Sequence, residues 1–339
     1  NSCRTRKGKK MNKKIFGNIA KSGILEELEE KIGKSLTLVK RIEYVTIGVQ
    51  VEENNIIGLG LYNCGLTTLP ESFGELKSLH TLNLDHNMLA ALPESFGELK
   101  SLQILSLEGN PLTMLPESFG QLESLQTLDL RWNRLRTLPE SFGDLKSLKK
   151  LWIYKNQLIT LPESFGQLKS LKKLSLYNNQ LTTLPKSFGE LKSLKDLSLY
   201  KNRLTTLSDS FGNLKSIKDL NLQNNQLTTL PESFGQLKSL KKLSLNNNQL
   251  KTLPNSFGDL ESLQTLELVN NQLTTLPKSF GNLKLLKHVE LQRNKIATLP
   301  ESLLNFWNLR LLDIRFNPLD SNANAILKKL KKKGIKISK

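Results

Sequence analysis

The stretch LHTLNLDHNMLAALPESFGELKS, residues 79–101, returns almost unchanged as LKKLSLYNNQLTTLPKSFGELKS at residues 171–193. The same 23-residue unit occurs eleven times without an insertion between residues 56 and 308, and a twelfth copy begins at residue 309. A fixed period of this length indicates a stack of similar structural units. The period therefore decides the architecture before any single residue is considered.

Each unit combines a short strand with a compact return segment. Leu82 and Leu84 alternate with Asn83, which predicts a strand with one buried face. The L-P-x-S-F-G-x-L half suits a short helical turn; its recurring Phe predicts a buried aromatic spine, and we expect the following Gly to serve a tight bend. One unit cannot bury its strand face alone, so successive units must stack, each adding a parallel strand.

The ninth position of each unit holds Asn, or Cys in the first unit. A buried amide needs hydrogen-bond partners, which the backbone of its own turn and of the neighbouring unit can supply. We interpret Cys64 as the first member of this structural ladder, with a nucleophile or a metal ligand as the alternative. The ladder consists of Cys64, Asn87, Asn110, Asn133, Asn156, Asn179, Asn202, Asn225, Asn248, Asn271, Asn294 and Asn317.

The unit resembles the leucine-rich repeat family, whose signature L-x-x-L-x-L-x-x-N/C-x-L every copy satisfies, with Ile or Val at some Leu places. Its L-P-x-x-[FI]-G-x-L half is similar to the intracellular Ras-group repeats, and the near-identical units, rich in Lys and Asn, look prokaryotic. The resemblance implies an α/β solenoid shaped like a horseshoe, with a parallel concave sheet and convex short helical or 3-10 turns. It also implies a non-enzymatic scaffold in cytoplasmic signalling, for which a small GTPase is a candidate partner.

Both ends of a repeat stack need caps, because terminal units expose apolar surface. Ile24, Leu25 and Leu28 recur at helical spacing, residues 42–61 suit a hairpin, and Asp320 or Ser321 suits the N-cap of a last helix. The predicted organisation is a basic disordered tail (1–14), an N-terminal cap (15–55), twelve repeats with the last one partial (56–319), and a C-terminal capping helix with a Lys-rich tail (320–339).

The formal net charge of +18 over 339 residues first suggests nucleic acid or an acidic membrane as the partner. Residues 1–14 and 328–339 carry +7 each, however, which leaves +4 for the body of the chain. We therefore expect no dedicated nucleic-acid clamp, and contact with a charged polymer or an acidic membrane only through the basic ends, as the alternative function. The N-terminal residues do not resemble a secretory signal, which favours the cytoplasm.

The exposed strand positions depart from the monotony of the repeat. Four of the five tyrosines occupy the seventh position, and Trp132 and Trp152 lie in adjacent units among basic residues. Clustered Trp, Tyr and Arg are typical of protein-binding hot spots, whereas mere stacking along the ladder is the alternative. The predicted patch, suited to an acidic partner surface, consists of Arg131, Trp132, Arg134, Lys150, Trp152, Tyr154, Lys155, Lys173, Tyr177, Tyr200, Lys201 and Arg203.

A band of lysines also occupies the second position of five units, and catalytic motifs are missing from the sequence. We interpret the band as a solvated rim, with phosphate binding as the alternative. No His and Cys spacing suits zinc, no nucleophile has a neighbouring base, and no phosphate loop occurs. We expect a monomer that is not an enzyme and needs no cofactor or metal. The band is Lys149, Lys172, Lys195, Lys218 and Lys241.

Overall fold

The computed structural model describes residues 22–339, which form two compact units, one ending at Leu158 and the other running from Ile159 to Lys339. Both units consist mainly of the 23-residue repeat. The predicted basic tail and the first residues of the predicted N-terminal cap lie outside the described part of the chain.

Helix α1, Ser22–Ile32, opens the first unit. Its apolar side chains bury one face against the repeats, and Leu25 and Leu28 are completely inaccessible to solvent. Gly33 follows the helix with a φ of 64°, the left-handed conformation in which many helices end because glycine lacks a Cβ.

A hairpin leads from α1 into the repeats. Strands β1 (Ile47–Glu52) and β2 (Asn55–Leu61) pair antiparallel. Glu53 and Asn54 join them with φ values of 48° and 63°, as a tight hairpin turn requires.

The first half of the segment 42–51, which alternates in sequence like a strand, forms a turn instead. The Thr46 amide donates to the Glu43 carbonyl over 3.1 Å, and the Glu43 amide donates to the Thr46 hydroxyl over 2.7 Å. These local bonds satisfy backbone groups that a longer strand would have paired. On the outer edge of β1, Val49 donates to the Thr37 carbonyl over 2.8 Å, so residues 37–39 cover that edge.

Short parallel strands make up the rest of the sheet in each unit, in chain order. The central residue of each is a buried Leu or Val that pairs with its equivalent one repeat away. In the first unit these strands are β3 (Thr81–Asn83), β4 (Ile104–Ser106), β5 (Thr127–Asp129) and β6 (Lys150–Trp152). In the second unit they are β7 (Lys173–Ser175), β8 (Asp196–Ser198), β9 (Asp219–Asn221), β10 (Lys242–Ser244), β11 (Thr265–Glu267), β12 (His288–Glu290) and β13 (Leu311–Asp313).

Five-residue 3-10 helices return the chain on the opposite side of each unit. Nearly all start after a Pro whose φ is preset for the turn, and the predicted column of ten buried Phe is confirmed. They are Glu71–Glu75, Glu94–Glu98, Glu117–Gln121, Glu140–Asp144, Glu163–Gln167, Lys186–Glu190, Asp209–Asn213, Glu232–Gln236, Asn255–Asp259, Lys278–Asn282 and Glu301–Asn305.

The Phe column shows how each unit curves. Rings of successive repeats are parallel, and their centroids are 6.1 Å apart for Phe73 and Phe96 and 6.2 Å apart for Phe211 and Phe234. Neighbouring strands are only about 4.8 Å apart. Because each repeat advances further on the Phe side than on the strand side, the sheet lies on the inner, concave side within each unit.

The Gly after each Phe has a different purpose from the predicted bend. None of these glycines has a positive φ among the described repeats. A Cβ on Gly120 would instead lie 2.2 Å from the Ser141 carbonyl oxygen of the next repeat, and a Cβ on Gly235 would lie 2.2 Å from that of Ser256. Glycine is therefore required because the backbones of successive turns approach closely.

The Asn ladder ties each repeat to the preceding one. Asn110 Nδ2 donates to the carbonyls of Leu84 and Leu107 over 3.0 and 3.1 Å, and its Oδ1 accepts from the Leu89 amide over 3.1 Å. Asn110 Nδ2 also lies 3.4 Å from the Glu108 carbonyl two residues earlier, and Cys64 reproduces this contact, since its Sγ donates to the Tyr62 carbonyl over 3.6 Å. Burial raises the pKa of the Cys64 thiol, which makes it a poor nucleophile.

Helix α2, Ser321–Lys332, and a final strand close the second unit. Asp320 is the N-cap, because its Oδ1 accepts from the Ala323 amide over 2.6 Å. The last residues are not merely a Lys-rich tail as the sequence suggests. Strand β14, Lys336–Ser338, pairs parallel with β13 and extends the sheet by one strand.

Candidate partner-binding surface

The eighth position of all twelve repeats is a left-handed residue at the rim of the concave face. Asn and Gly tolerate this conformation best, and they occupy six of the twelve places. Bulky side chains with positive φ are uncommon and are held there at a cost in backbone energy. Two aromatic residues are nevertheless found at this position, Trp132 with a φ of 54° and Phe316 with a φ of 59°.

Trp132 and Lys155 form an exposed pair in the first unit. The Trp132 side chain is 52% exposed, and the Lys155 ammonium nitrogen lies 3.3 Å from the centroid of its ring. An exposed cation–π contact of this kind contributes about 0.5–1 kcal/mol of interaction free energy and so favours one orientation of both side chains. The pair therefore presents an aromatic ring and a positive charge together, at the surface next to the strand ends.

Arg131 uses its donors inside the protein. Its Nε lies 2.7 and 2.8 Å from the two oxygens of Asp129, one terminal nitrogen donates to Glu108 and the other donates to the Tyr154 hydroxyl over 2.9 Å. Burial alone would lower the pKa of Arg131, but these hydrogen bonds and the nearby carboxylates raise it by more, so the net effect is a pKa above its usual value. Arg131 therefore fixes the position of Tyr154 more than it offers donors to a partner.

The N-terminal turn covers the sheet face of the first repeats. Asn83 Nδ2 donates to the Tyr44 carbonyl over 2.8 Å, and the Tyr44 hydroxyl is 3.4 Å from both Glu108 Oε2 and His86 Nε2. The concave surface that a partner can reach in this unit therefore begins beyond Glu108.

Asp85 lies under this turn and is completely buried. Its Oδ1 accepts from the Ser106 hydroxyl over 2.6 Å and from the Glu108 amide over 2.7 Å, while Oδ2 has no hydrogen-bond partner among the described residues. Burial raises the pKa of Asp85 to about 6 in spite of these two hydrogen bonds.

The other predicted patch residues of the first unit are less uniform than the sequence suggests. Lys150 and Arg134 are exposed and form no ion pair with any residue from 22 to 339, whereas Trp152 in β6 is half-buried. In this unit Lys155 places its positive charge over the Trp132 ring, while Lys150 lies two residues before Trp152 in β6.

The remaining five predicted patch residues lie in the second unit. Lys173 pairs with Asp196 over 3.3 Å, and the rings of Tyr177 and Tyr200 are 6.2 Å apart at a tilt of 46°. Lys201 and Arg203 are exposed. Here the two tyrosine rings contact one another, as the stacking alternative expects, and the charge of Lys173 is compensated by Asp196.

The most exposed aromatic residues were missed by the sequence analysis. Trp307 is 86% exposed and Phe316 is 70% exposed, with the Arg293 guanidinium 5.8 Å from the Phe316 ring centroid. The sequence does mark Trp307 as unusual, because the equivalent position in the preceding repeats is always charged, Lys in most repeats and Glu in the others. No such column marks Phe316, since the eighth position varies throughout.

Within residues 22–339, no group of three His, Cys, Asp or Glu side chains is placed to hold a metal ion. In the same part of the chain, both helices are too short and too polar to cross a bilayer.

The comparison with protein families identifies the repeats. The profile described as a leucine-rich repeat region matches residues 58–129, 97–206 and 205–334. The chain belongs to the leucine-rich repeat family. A leucine-rich repeat protein of Leptospira interrogans is 38% identical, with a TM-score of 0.66 over 81% of this chain and 76% of that one. The comparison with curated proteins gives no match.

Two other solved leucine-rich repeat structures are similar. The ectodomain of the Arabidopsis thaliana receptor kinase GASSHO1/SCHENGEN3, solved in complex with CASPARIAN STRIP INTEGRITY FACTOR 2, is 26% identical with a TM-score of 0.62; the match covers 82% of this chain but 44% of the receptor chain. An internalin of Listeria monocytogenes, 18% identical with a TM-score of 0.63, covers 96% of both chains and shares the fold. Leucine-rich repeats in these neighbours thus include domains that bind other proteins.

Proposed function

We propose that this leucine-rich repeat protein is a non-enzymatic scaffold that binds a protein partner on the concave side of its first unit, around Trp132 and Lys155. The observation that carries the proposal is Trp132 itself, a bulky side chain that is 52% exposed and has a φ of 54° at a position where Asn is the commonest residue. Backbone strain and solvent exposure both disfavour Trp there, which supports a role in binding.

The chemistry around Trp132 favours a partner with an acidic surface. Lys155, Lys150 and Arg134 supply positive charge, while the Arg131 network holds Tyr154 in place beside them. Ordered aromatic residues lose little conformational entropy on binding, so such a surface is suited to a hot spot. The likeness to intracellular Ras-group repeats supports a cytoplasmic signalling role and a small GTPase as the first partner class to test, and the near-identical units rich in Lys and Asn support a prokaryotic source. The proposed binding form is the monomer.

A cross-linked pull-down with three full-length baits tests this proposal. The baits are the intact chain, a Trp132→Asn/Lys155→Gln variant, and a matched Phe316→Asn/Arg293→Gln variant that makes the same kind of change at the exposed aromatic of the second unit. The proposal predicts a discrete protein that the intact chain and the matched variant capture and the Trp132 variant does not. A protein captured equally by all three baits would contradict it.

A further inference from the structure

The described residues of the two compact units carry opposite net charge. Residues 22–158 contain 13 basic and 18 acidic residues, a net charge of −5, whereas residues 159–339 contain 28 basic and 13 acidic residues, a net charge of +15. Without the +7 of residues 328–339 the second unit still carries +8, so the near-neutral body of the chain conceals a basic second unit. Such an asymmetry between halves indicates an anionic partner for one of them.

Eight of the 21 basic residues between residues 159 and 319 lie on one edge of the second unit, where the chain enters each strand. Two parallel rows of exposed lysines run along it, one at the second position of the repeat and one three residues earlier. We call these rows the lysine edge: Lys172, Lys195, Lys218 and Lys241 in one row, and Lys169, Lys192, Lys215 and Lys238 in the other.

Acidic side chains compensate only part of the lysine edge. Glu190 pairs with Lys169 over 3.5 Å and with Lys192 over 3.4 Å, and Glu261 pairs with Lys238 over 3.1 Å. The four lysines of the second-position row take part in no ion pair within the described residues. The pKa of Lys215 is lowered, mainly by burial and then by the positive charges of Lys192 and Lys238, so like charges are crowded along this edge.

An exposed apolar pair continues the same edge. Trp307 occupies the position held by Lys169 and its equivalents, and Leu285, 45% exposed, occupies the position of the serines that separate the two rows. The two residues belong to adjacent repeats, whose contact Asn308 Nδ2 fixes by donating to the Lys284 carbonyl over 2.8 Å. The Lys333 ammonium lies 6.0 Å from the centroid of the Trp307 ring.

We propose that the lysine edge of the second unit lies on an anionic lipid surface, with Trp307 and Leu285 entering the headgroup layer. Rows of lysine supply diffuse attraction to anionic headgroups, and exposed Trp beside Lys is the composition that favours a membrane–water interface. A nucleic-acid groove would instead interleave aromatic side chains with the charge for base stacking, and no aromatic residue interrupts the two rows. The proposal is independent of the partner site in the first unit.

Vesicle sedimentation with the full chain tests the lysine edge. Vesicles of phosphatidylcholine alone are compared with an equal mixture of phosphatidylcholine and phosphatidylglycerol. Each lysine near an anionic surface contributes about fivefold in affinity, so Lys172/Lys195/Lys218/Lys241→Gln should weaken binding to mixed vesicles by more than about a hundredfold. The matched variant Lys186/Lys251/Lys278/Lys295→Gln removes the same charge elsewhere on the second unit and should keep most of the binding.

Equal loss in the two lysine variants would overturn the proposal, because net charge and not the edge would then control binding. Undiminished vesicle binding by both variants would also overturn the proposal, since the basic ends of the chain would then be sufficient for binding. Binding of the intact chain to neutral vesicles as tightly as to mixed ones would contradict the electrostatic basis.

Trp307 provides a second test. A Trp132→Phe/Trp152→Phe variant leaves Trp307 as the one tryptophan of the chain. Its fluorescence should shift to shorter wavelength with mixed vesicles and stay unchanged with neutral ones. If the intact chain binds double-stranded DNA at least as tightly as mixed vesicles, and the Trp307 emission does not move with either, the edge recognises a charged polymer and the lipid proposal is wrong.

Discussion

Replacing Gly120 with Ala should destabilise the first unit strongly, although the change adds only one methyl group. The new Cβ would lie 2.2 Å from the Ser141 carbonyl oxygen and 2.8 Å from the Ser141 carbonyl carbon. Real Cβ contacts start at about 3.0 Å, so the two turns must separate by about 0.8 Å. Both clashing groups are backbone, and the Phe119 and Phe142 rings stacked 6.2 Å apart pack beneath them.

Overpacking of this kind costs about 1–3 kcal/mol, and we expect the upper end because no side chain can rotate away. The free energy of unfolding, measured by urea titration with circular dichroism, should therefore fall by about 3 kcal/mol, with the loss of amide-exchange protection centred on these two repeats. Gly23→Ala is the matched control. That glycine lies in α1 with no atom within 4 Å of the added Cβ, so alanine should stabilise the helix by about 0.5 kcal/mol.

A Gly120→Ala protein that unfolds at the same urea concentration as the parent would refute this explanation. The Gly column would then serve the bend that the sequence alone suggests, and close approach of the turns would be incidental.

Three further predictions follow from the packing and electrostatics, each checked by urea titration. Ser208 replaces the N-cap Pro of one turn yet keeps a φ of −72°, so Ser208→Pro should stabilise the protein by about 0.4–1 kcal/mol. Asp85 has a pKa of about 6 in the folded protein and about 3.9 in the unfolded chain. The stabilisation from its protonated form should therefore be fully present below about pH 4, and the free energy of unfolding should fall by up to about 3 kcal/mol as the pH rises through about 6. Asp85→Asn should remove this pH dependence. Asn110→Ala leaves the Leu89 amide without its partner and removes one of the two side-chain donors to each of the Leu84 and Leu107 carbonyls, so it should cost about 1–3 kcal/mol.

The repeat period accounts for most of what could be predicted. Leu spacing identifies the strands, and the recurring Phe and Asn identify the spine and the ladder, because each acts within one repeat and its neighbour. The Gly column was assigned the wrong cause, since the approach of Ser141 to Gly120 depends on how tightly the turns stack. Residues 42–46 were misassigned because their alternation did not reveal the turn closed by Thr46.

The candidate site was harder to predict because exposure depends on non-repeating contacts. Arg is a residue type common in binding sites, yet the Arg131 guanidinium already donates hydrogen bonds to Asp129 and Glu108. Trp132 and Trp152 are the same residue type, but Trp132, in the left-handed conformation, is 52% exposed, whereas Trp152 in β6 is half-buried. Trp307 could have been recognised as a break in the column of lysines.

The most direct test of the binding proposal is to measure the affinity and the stability of Trp132→Asn together. Asn is the commonest residue at this position in the other repeats, so the substitution should relieve backbone strain and leave the urea midpoint equal or higher. The account predicts that the partner captured by the intact chain binds at least about tenfold more weakly to Trp132→Asn, as expected for a hot-spot tryptophan, while Phe316→Asn binds it normally. Unchanged affinity in a stable Trp132→Asn protein would contradict the account.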